Sequence, residues 1–245
     1  MGREVARLCL EGCRGAALVG GVDPCGGIEG VTVWHDLSLV PEETEISCLV
    51  DFSHHTCTHA LLAFAVARCI PLVVATTGHT EEELAAIRMA SAKIPIFFSA
   101  NMSYGVALLV ELAVQAAAAM PEADIEIIEK HHNRKLDAPS GTALMLAEEL
   151  CRVRAGAYPH PGRNGKAKRT REEIGIHAVR LGNVVGEHEV ILATASQTIT
   201  LKHEAHSRAL FAEGALAAAA YVAECPPGLY DMKSLIGGRR AAALC

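Results

Sequence analysis

The sequence predicts an α/β protein built in two parts, and three observations predict it. Early in the chain, short and almost wholly apolar runs alternate with helical patterns. Later, three strand-like runs follow one another with no helix between them. The 245 residues, 51% hydrophobic, are enough for one large domain or two smaller ones with a sizeable core.

The elements follow in order. Gly15 to Val22 reads as a strand ended by Asp23-Pro24. Ile46 to Phe52, a short apolar run between polar residues, reads as another. A helix follows from about His54 to Arg68, with Ser53 as its N-cap. Pro71 to Thr76 is a third strand. Thr80-Glu81-Glu82-Glu83 is a capping box that opens a helix to about Ala92, and Ile94 to Ser99 is a fourth strand. Strands this apolar, separated by helices, indicate a parallel sheet covered on both faces, a Rossmann-like nucleotide domain.

In the second part an Ala-rich helix, about Tyr104 to Met120, leads into a strand-like stretch, Asp124 to His131. A helix then runs from about Ala143 to Arg154. Residues 156–173 read as a loop rich in Gly and Arg, with Arg163, Lys166, Lys168, Arg169 and Arg171. Ile174–Leu181, Glu187–Ala193 and Gln197–His203 are consecutive strands. The second domain is therefore expected to be α+β, with an open, mostly antiparallel sheet. A last Ala-rich helix, Ser207 to Glu224, ends before Pro226-Pro227.

Composition excludes several classes. A net charge of −6 gives no reason to expect nucleic acid. No apolar run reaches the roughly 20 residues of a membrane span. The first residues lack the apolar core of a signal peptide. Met1-Gly2 resembles a myristoylation start, but Ala6 stands where Ser or Thr is required. Nine cysteines, none in a C-x-x-C pair, fit a reduced, cytoplasmic protein that uses them as small apolar residues. Cys9-x-x-x-Cys13 and His54-His55-x-x-x-His59 lack the second half of a metal site, so no metal is expected.

The most informative stretch is 131–142, His-His-Asn-Arg-Lys-Leu-Asp-Ala-Pro-Ser-Gly-Thr. His131, His132 and Lys135 are three proton donors within five residues. The Pro-Ser-Gly-Thr turn opens a helix, whose N-terminal N–H groups hold anions. Proton donors beside an anion cradle point to a small carboxylate or phosphate substrate.

This string closely resembles the signature of the dihydrodipicolinate reductase family, NAD(P)H-dependent enzymes of lysine and diaminopimelate biosynthesis. Asp51-Phe52-Ser53, Ala75-Thr76-Thr77-Gly78, Ser99-Ala100-Asn101-Met102-Ser103 and Gly175-Ile176-His177 resemble family segments in family order. So do Gly186 to Val190, His203 to Arg208 and Gly228 to Met232. The resemblance implies a dinucleotide-binding domain at 1–101 and 208–245, and a substrate and oligomerisation domain at 102–207. It also implies NADH or NADPH as cofactor, a cyclic dicarboxylate as substrate, and a homotetramer.

One segment departs from the pattern. Met1-Gly2-Arg3 resembles the tail of the family's Gly-x-x-Gly-x-Met-Gly loop, and the strand and glycines expected before it are absent. Either the true start lies upstream, or the chain begins here and is impaired; the intact catalytic segments favour the first. Gly2 belongs to this pyrophosphate loop. Asp23 stands where an acid accepts hydrogen bonds from the adenosine ribose, although a turn role before Pro24 suits it equally. No Arg or Lys follows in Pro24-Cys25-Gly26-Gly27, which favours NADH over NADPH. By resemblance Thr76, Thr77 and Gly78 line the nicotinamide side, with Ser99, Ala100, Asn101 and Met102 nearby.

The resemblance also implies the chemistry. Hydride passes from the nicotinamide to a ring carbon of the unsaturated imine, and a proton reaches its neighbour. His131 is the expected proton donor, since a histidine titrates near working pH; Lys135 is the alternative donor. His132 and Lys135 bind one carboxylate. Ser140, Gly141 and Thr142 offer N–H and hydroxyl donors to the other, and Gly141 suits close backbone approach. Asp137 shapes the turn. Arg208 adds charge, and the basic loop could close over an anionic substrate. His177, His188 and His203 read as structural or interface residues. Two other readings remain: a different Rossmann reductase, such as an amino-acid dehydrogenase, and a non-catalytic homologue acting as a ligand-binding or assembly subunit.

Overall fold

The computed structural model describes residues 1–243; Cys245, one of the nine cysteines, lies outside them. The other eight are free. The chain runs α1 (Gly2–Leu10), β1 (Gly21–Val22), β2 (Val33–Trp34), β3 (Leu49–Asp51), α2 (Thr58–Ala67), β4 (Leu72–Val74), α3 (Glu81–Ser91) and β5 (Pro95–Phe98). It continues through α4 (Tyr104–Ala119), β6 (Asp124–His131), α5 (Gly141–Val153), β7 (Tyr158–Pro161), β8 (Glu173–Arg180), β9 (Gly186–Ala193) and β10 (Thr198–Ala205). The last elements are α6 (Ala209–Val222), β11 (Gly228–Tyr230) and α7 (Met232–Ala243). Two compact units result: Met1–Tyr104 with Ala209–Cys245, and Gly105–Arg208.

In the first unit β3, β4, β5 and β11 form a parallel sheet in the order β11-β5-β4-β3. All three residues of β4 are buried, as a strand covered on both faces requires. Leu72, Val74 and Ile96 pack with Leu62, Ala65, Ile87 and Ala90 of α2 and α3. Phe97 meets Tyr221 of α6 edge-on at 6.4 Å between ring centroids. Helix α1 packs against α6 through Val5, Leu8, Cys9, Ala212 and Leu216. A Cβ on Gly214 would overlap the carbonyl oxygen of Met102, so this turn of α6 requires glycine.

Some expected elements are shorter. The strand expected over Gly15–Val22 is reduced to Gly21–Val22, which pairs in parallel with β2 as a separate two-stranded sheet. In the doubly wound order 3-2-1-4-5-6, strand 1 joins these two sheets. Among the described residues no ladder joins them. The N-cap expected at Ser53 is also corrected. Ser53 donates its N–H and hydroxyl to Asp51 Oδ1 at 2.8 and 2.6 Å. His54 caps a 3-10 turn, His55–Cys57, and α2 starts only at Thr58. The capping box is present: Thr80 Oγ1 accepts from Glu83 N–H and Glu83 Oε2 from Thr80 N–H.

In the second unit the sheet order is β10-β9-β6-β8-β7. The β10–β9 and β9–β6 pairings are antiparallel, whereas β6–β8 and β8–β7 are parallel. The expectation of a mostly antiparallel sheet is thus corrected to an even mix. The cause is α5, a crossover that returns the chain to the same sheet in the same direction. Ile125, Ile127, Ile174, Ile176, Val190 and Leu192 face α4 and α5 in one core. The opposite face carries cross-strand ion pairs, Lys130–Glu187 and Lys202–Glu187, each at 3.0 Å.

The basic stretch 156–173 is not wholly loop. Tyr158–Pro161 is an edge strand, with Tyr158 and Gly162 N–H donating to Glu172 and Ile176 carbonyls. Pro159 and Pro161 stand at the alternate positions, where an edge strand needs no donor. Arg169 bonds Asp124, Glu126 and the carbonyls of Ile125, Thr170 and Glu173. Arg163 pairs with Glu173, and Arg171 bonds the Pro121 carbonyl. These anchors lie at the start of β6, whereas His131 ends it, about 23 Å away at roughly 3.3 Å per residue. The arginines therefore do not close over His131.

Candidate active site

Strand β6 alternates, with Ile125, Ile127, Glu129 and His131 on the buried face. The period of two that places isoleucines in the core carries Glu129 and His131 to the same side. Glu129 is fully buried and His131 is 8% exposed. His131 Nδ1 lies 2.5 Å from Glu129 Oε2. Arg180, at the end of β8, grips both Glu129 oxygens at 2.8 Å, and Ser140 N–H donates to Oε1 at 3.0 Å. Burial raises the Glu129 carboxyl, but Arg180, His131 and the Ser140 N–H together outweigh it and hold it below its ordinary value.

The loop after β6 carries the other predicted residues. His132 is half-buried, and its Nδ1 is buried without a partner. Burial first, then the charges of Arg134, His131, Lys135 and Arg208, lower its proton affinity. Lys135 Nζ pairs with Asp137 Oδ1 at 2.8 Å, and the Asp137 carbonyl accepts from Arg180. Asp137 thus sits in the turn, as expected, and also restrains Lys135.

Ser140 requires a correction. It is 2% exposed and caps α5, its Oγ accepting from Ala143 N–H at 3.2 Å. Its N–H is taken by Glu129 and its hydroxyl also meets His188 Nε2 at 3.0 Å. A side chain already satisfied on three sides is a cap rather than a free donor for substrate. Gly141 and Thr142 fall inside the first helical turn, two residues earlier than the expected helix start. Gly141 has open space around it.

His188, read from the sequence as a structural or interface residue, packs beside His131. It is 4% exposed, lies edge-on to His131 at 5.2 Å between centroids, and bonds Ser140. Burial, then the neighbouring His131, pushes it down to about 4, so it stays neutral. Gly186, His188, Val190 and Leu192 are the buried positions of β9. That alternation was the signal that could have placed His188 inward with the apolar residues. Arg180 and Glu129 were likewise missed. His203 packs on Gly105 instead, where a Cβ would meet its ring at 2.7 Å.

The predicted cofactor residues lie in the first unit. β3, β4 and β5 are parallel, so their carboxyl ends share an edge, where ligands sit in such sheets. Asp51 ends β3 and Thr76 follows β4, joined by a buried Thr76 Oγ1 to Asp51 Oδ2 hydrogen bond of 2.7 Å. Thr77 and Gly78 are exposed, and Gly78 has φ +84°. Beside them His79 Nε2 is buried without a partner. Ser99 and Asn101 bond each other, Ala100 is exposed, and Met102 is 2% exposed. The Met102 side chain therefore packs inward. Gly2 is the first residue of α1, and Asp23 follows β1, its Oδ1 accepting from Cys25 N–H at 2.8 Å. Asp23 thus makes the turn contact, with its second oxygen left over. An exposed edge of parallel strands with an orphaned buried nitrogen fits a dinucleotide.

Comparison with known proteins follows the same division. Two family models match: dihydrodipicolinate reductase, N-terminus, over residues 1–102, and dihydrodipicolinate reductase, C-terminus, over 105–236. A 4-hydroxy-tetrahydrodipicolinate reductase of Caldanaerobacter subterraneus subsp. tengcongensis is 45% identical over 238 residues, covering 96% of this chain and 94% of that protein. One from Alkaliphilus oremlandii is 44% identical over 213 residues, 86% of each. Among solved structures, a dipicolinate-bound dihydrodipicolinate reductase from Paenisporosarcina sp. TG-14 has a TM-score of 0.77 at 23% identity and covers 93% of both chains. An amine dehydrogenase from Mycobacterium smegmatis shares the fold at a TM-score of 0.61 and 12% identity, covering 96% of this chain and 92% of that one. With both halves matched in order and relatives at 45% identity over nearly its full length, the chain belongs to the dihydrodipicolinate reductase family.

Proposed function

We propose that the protein reduces the cyclic imine dicarboxylate formed from pyruvate and aspartate semialdehyde, once that ring has lost water, to tetrahydrodipicolinate, using NADH or NADPH. The observation that carries this is the buried Glu129–His131 pair at the end of β6, close to the N-terminus of α5, in a chain of this family. When bound, the reduced nicotinamide supplies the hydride. His131 delivers the proton to the neighbouring ring carbon, with Lys135 as the alternative donor. His132 and Lys135 hold one carboxylate by charge. The N–H groups of Gly141 and Thr142 at the start of α5 receive the other. A neutral His188 adds no competing charge beside His131.

Thr76, Thr77, Gly78, Ser99, Ala100 and Asn101 hold the cofactor at the carboxyl edge of the first unit, and Gly2 and Asp23 take its pyrophosphate and ribose. The same reading gives a cytoplasmic homotetramer, its subunits associating through the uncovered sheet face of the second unit. A second reading is a homologue that binds substrate but no cofactor.

The test is oxidation of NADH and NADPH with the cyclic substrate generated in situ, beside direct titration of both cofactors. Turnover supports the first reading. Folded protein that binds dipicolinate but neither cofactor supports the second.

A further inference from the structure

We propose that Glu129, backed by Arg180, is a positioning residue that fixes His131 as the Nδ1–H form, so that the proton leaves from Nε2 across Gly186. The inference rests on His131 being the proton donor. Its first support is the geometry at Nδ1. Glu129 Oε2 stands 2.5 Å from it. Both carboxylate oxygens are engaged otherwise only by donors: Arg180 at 2.8 Å on each, and Ser140 N–H at 3.0 Å on Oε1. A carboxylate held ionised by these partners can only accept. Nδ1 must therefore carry the hydrogen, which leaves Nε2 as the atom that gains and loses the proton.

The second support is independent and lies at the other nitrogen. Gly186, the first residue of β9, faces Nε2. A Cβ there would lie 3.0 Å from Nε2 and 3.4 Å from Cδ2. Gly186 does not have positive φ, so its backbone does not demand glycine. What demands it is the space over Nε2, because any side chain would cover that nitrogen.

The step balances. His131 in its doubly protonated form gives the Nε2 proton to the substrate carbon while the cofactor's hydride, with its two electrons, goes to the neighbouring carbon. The Nδ1–H bond to Glu129 is never broken, and solvent returns a proton to Nε2.

The experiment is nitrogen-15 NMR of imidazole-labelled full-length protein above the histidine titration range, with the His131 signals identified by their loss in His131→Gln. The expected result is an unprotonated Nε2 and a protonated Nδ1 in the native protein. A protonated Nε2 there overturns the inference, whatever the activity. In Glu129→Gln the two forms are expected to mix, and kcat to fall about 100-fold with little change in KM, the size of a misplaced acid–base group. An unchanged tautomer and kcat in that variant overturn it too. Should Glu129→Gln fail to fold, Gly186→Ala carries the test: kcat falls at least tenfold while Nδ1 stays protonated, and wild-type kcat sinks the Nε2 route. Full activity in His131→Gln instead removes the proton-donor reading itself.

Discussion

His131 meets Glu129 two residues before it on the same strand, Nδ1 to Oε2 at 2.5 Å, with both groups almost wholly buried. A strand normally sends such a pair into the core only when every oxygen and N–H finds a partner. Here Arg180 and Ser140 complete the carboxylate, so the charge is retained and the ring is held.

The two proton-donor candidates separate by their kinetics. His131→Gln is expected to lower kcat by about 10²- to 10⁴-fold, the range for loss of a general acid. Lys135→Met is expected chiefly to raise KM for the dicarboxylate, since its charge acts in binding. Steady-state kinetics on both variants checks this. A large kcat loss confined to Lys135→Met would reverse the assignment.

Arg169 is expected to matter for stability and not for turnover. It holds the start of β6 to β8 through two carboxylates and three carbonyls. Arg169→Ala should cost about 2–3 kcal/mol in urea unfolding, as loss of charge-assisted hydrogen bonds does, while kcat and KM stay near wild type. A kcat loss without destabilisation would restore the idea of a basic lid.

His188 makes the fold acid-sensitive. Its folded-state value, about 4, lies below the ordinary 6.5. The unfolded chain therefore takes up a proton first as pH falls. Stability from this group is complete above about 6.5 and declines down to about 4, with a slope approaching 1.4 kcal/mol per pH unit. Unfolding curves between pH 7 and 4.5 should be flatter in His188→Asn than in the native protein; parallel curves would contradict the assignment.

Gly214→Ala is expected to destabilise strongly, by about 2–4 kcal/mol, because backbone and not a flexible side chain meets the added methyl. Thermal melts measure it, with Gly141→Ala as the contrast. Gly141 has open space, so its melting temperature should barely move.

How much of this was legible follows from distance along the chain. The capping box at Thr80–Glu83 and the strand at Asp124–His131 were read correctly because their causes lie within a few residues. His131, His132 and Lys135 stood out for the same reason, as one local string. Glu129 was overlooked although it lies two residues away: a charged residue in Ile-Ile-Glu-Lys-His-His reads as solvent-facing until the sheet shows which face is covered. Strand β7 was hidden by its own prolines, whose tolerance depends on the strand being at an edge. Arg169 read as loop charge because its carboxylate partners lie more than forty residues upstream.

The sequence by itself determined the class of fold, the local motif and the family resemblance, because periodicity, caps and short strings are encoded by near neighbours. Only the tertiary structure decided the even mix of parallel and antiparallel pairing in the second unit. Tertiary structure also decided the inward turn of His188 and the closing of Arg180 on Glu129. Each of these depends on which distant strand supplies the neighbouring hydrogen bonds, and burial then sets which charges are paired and which ring nitrogen is left open.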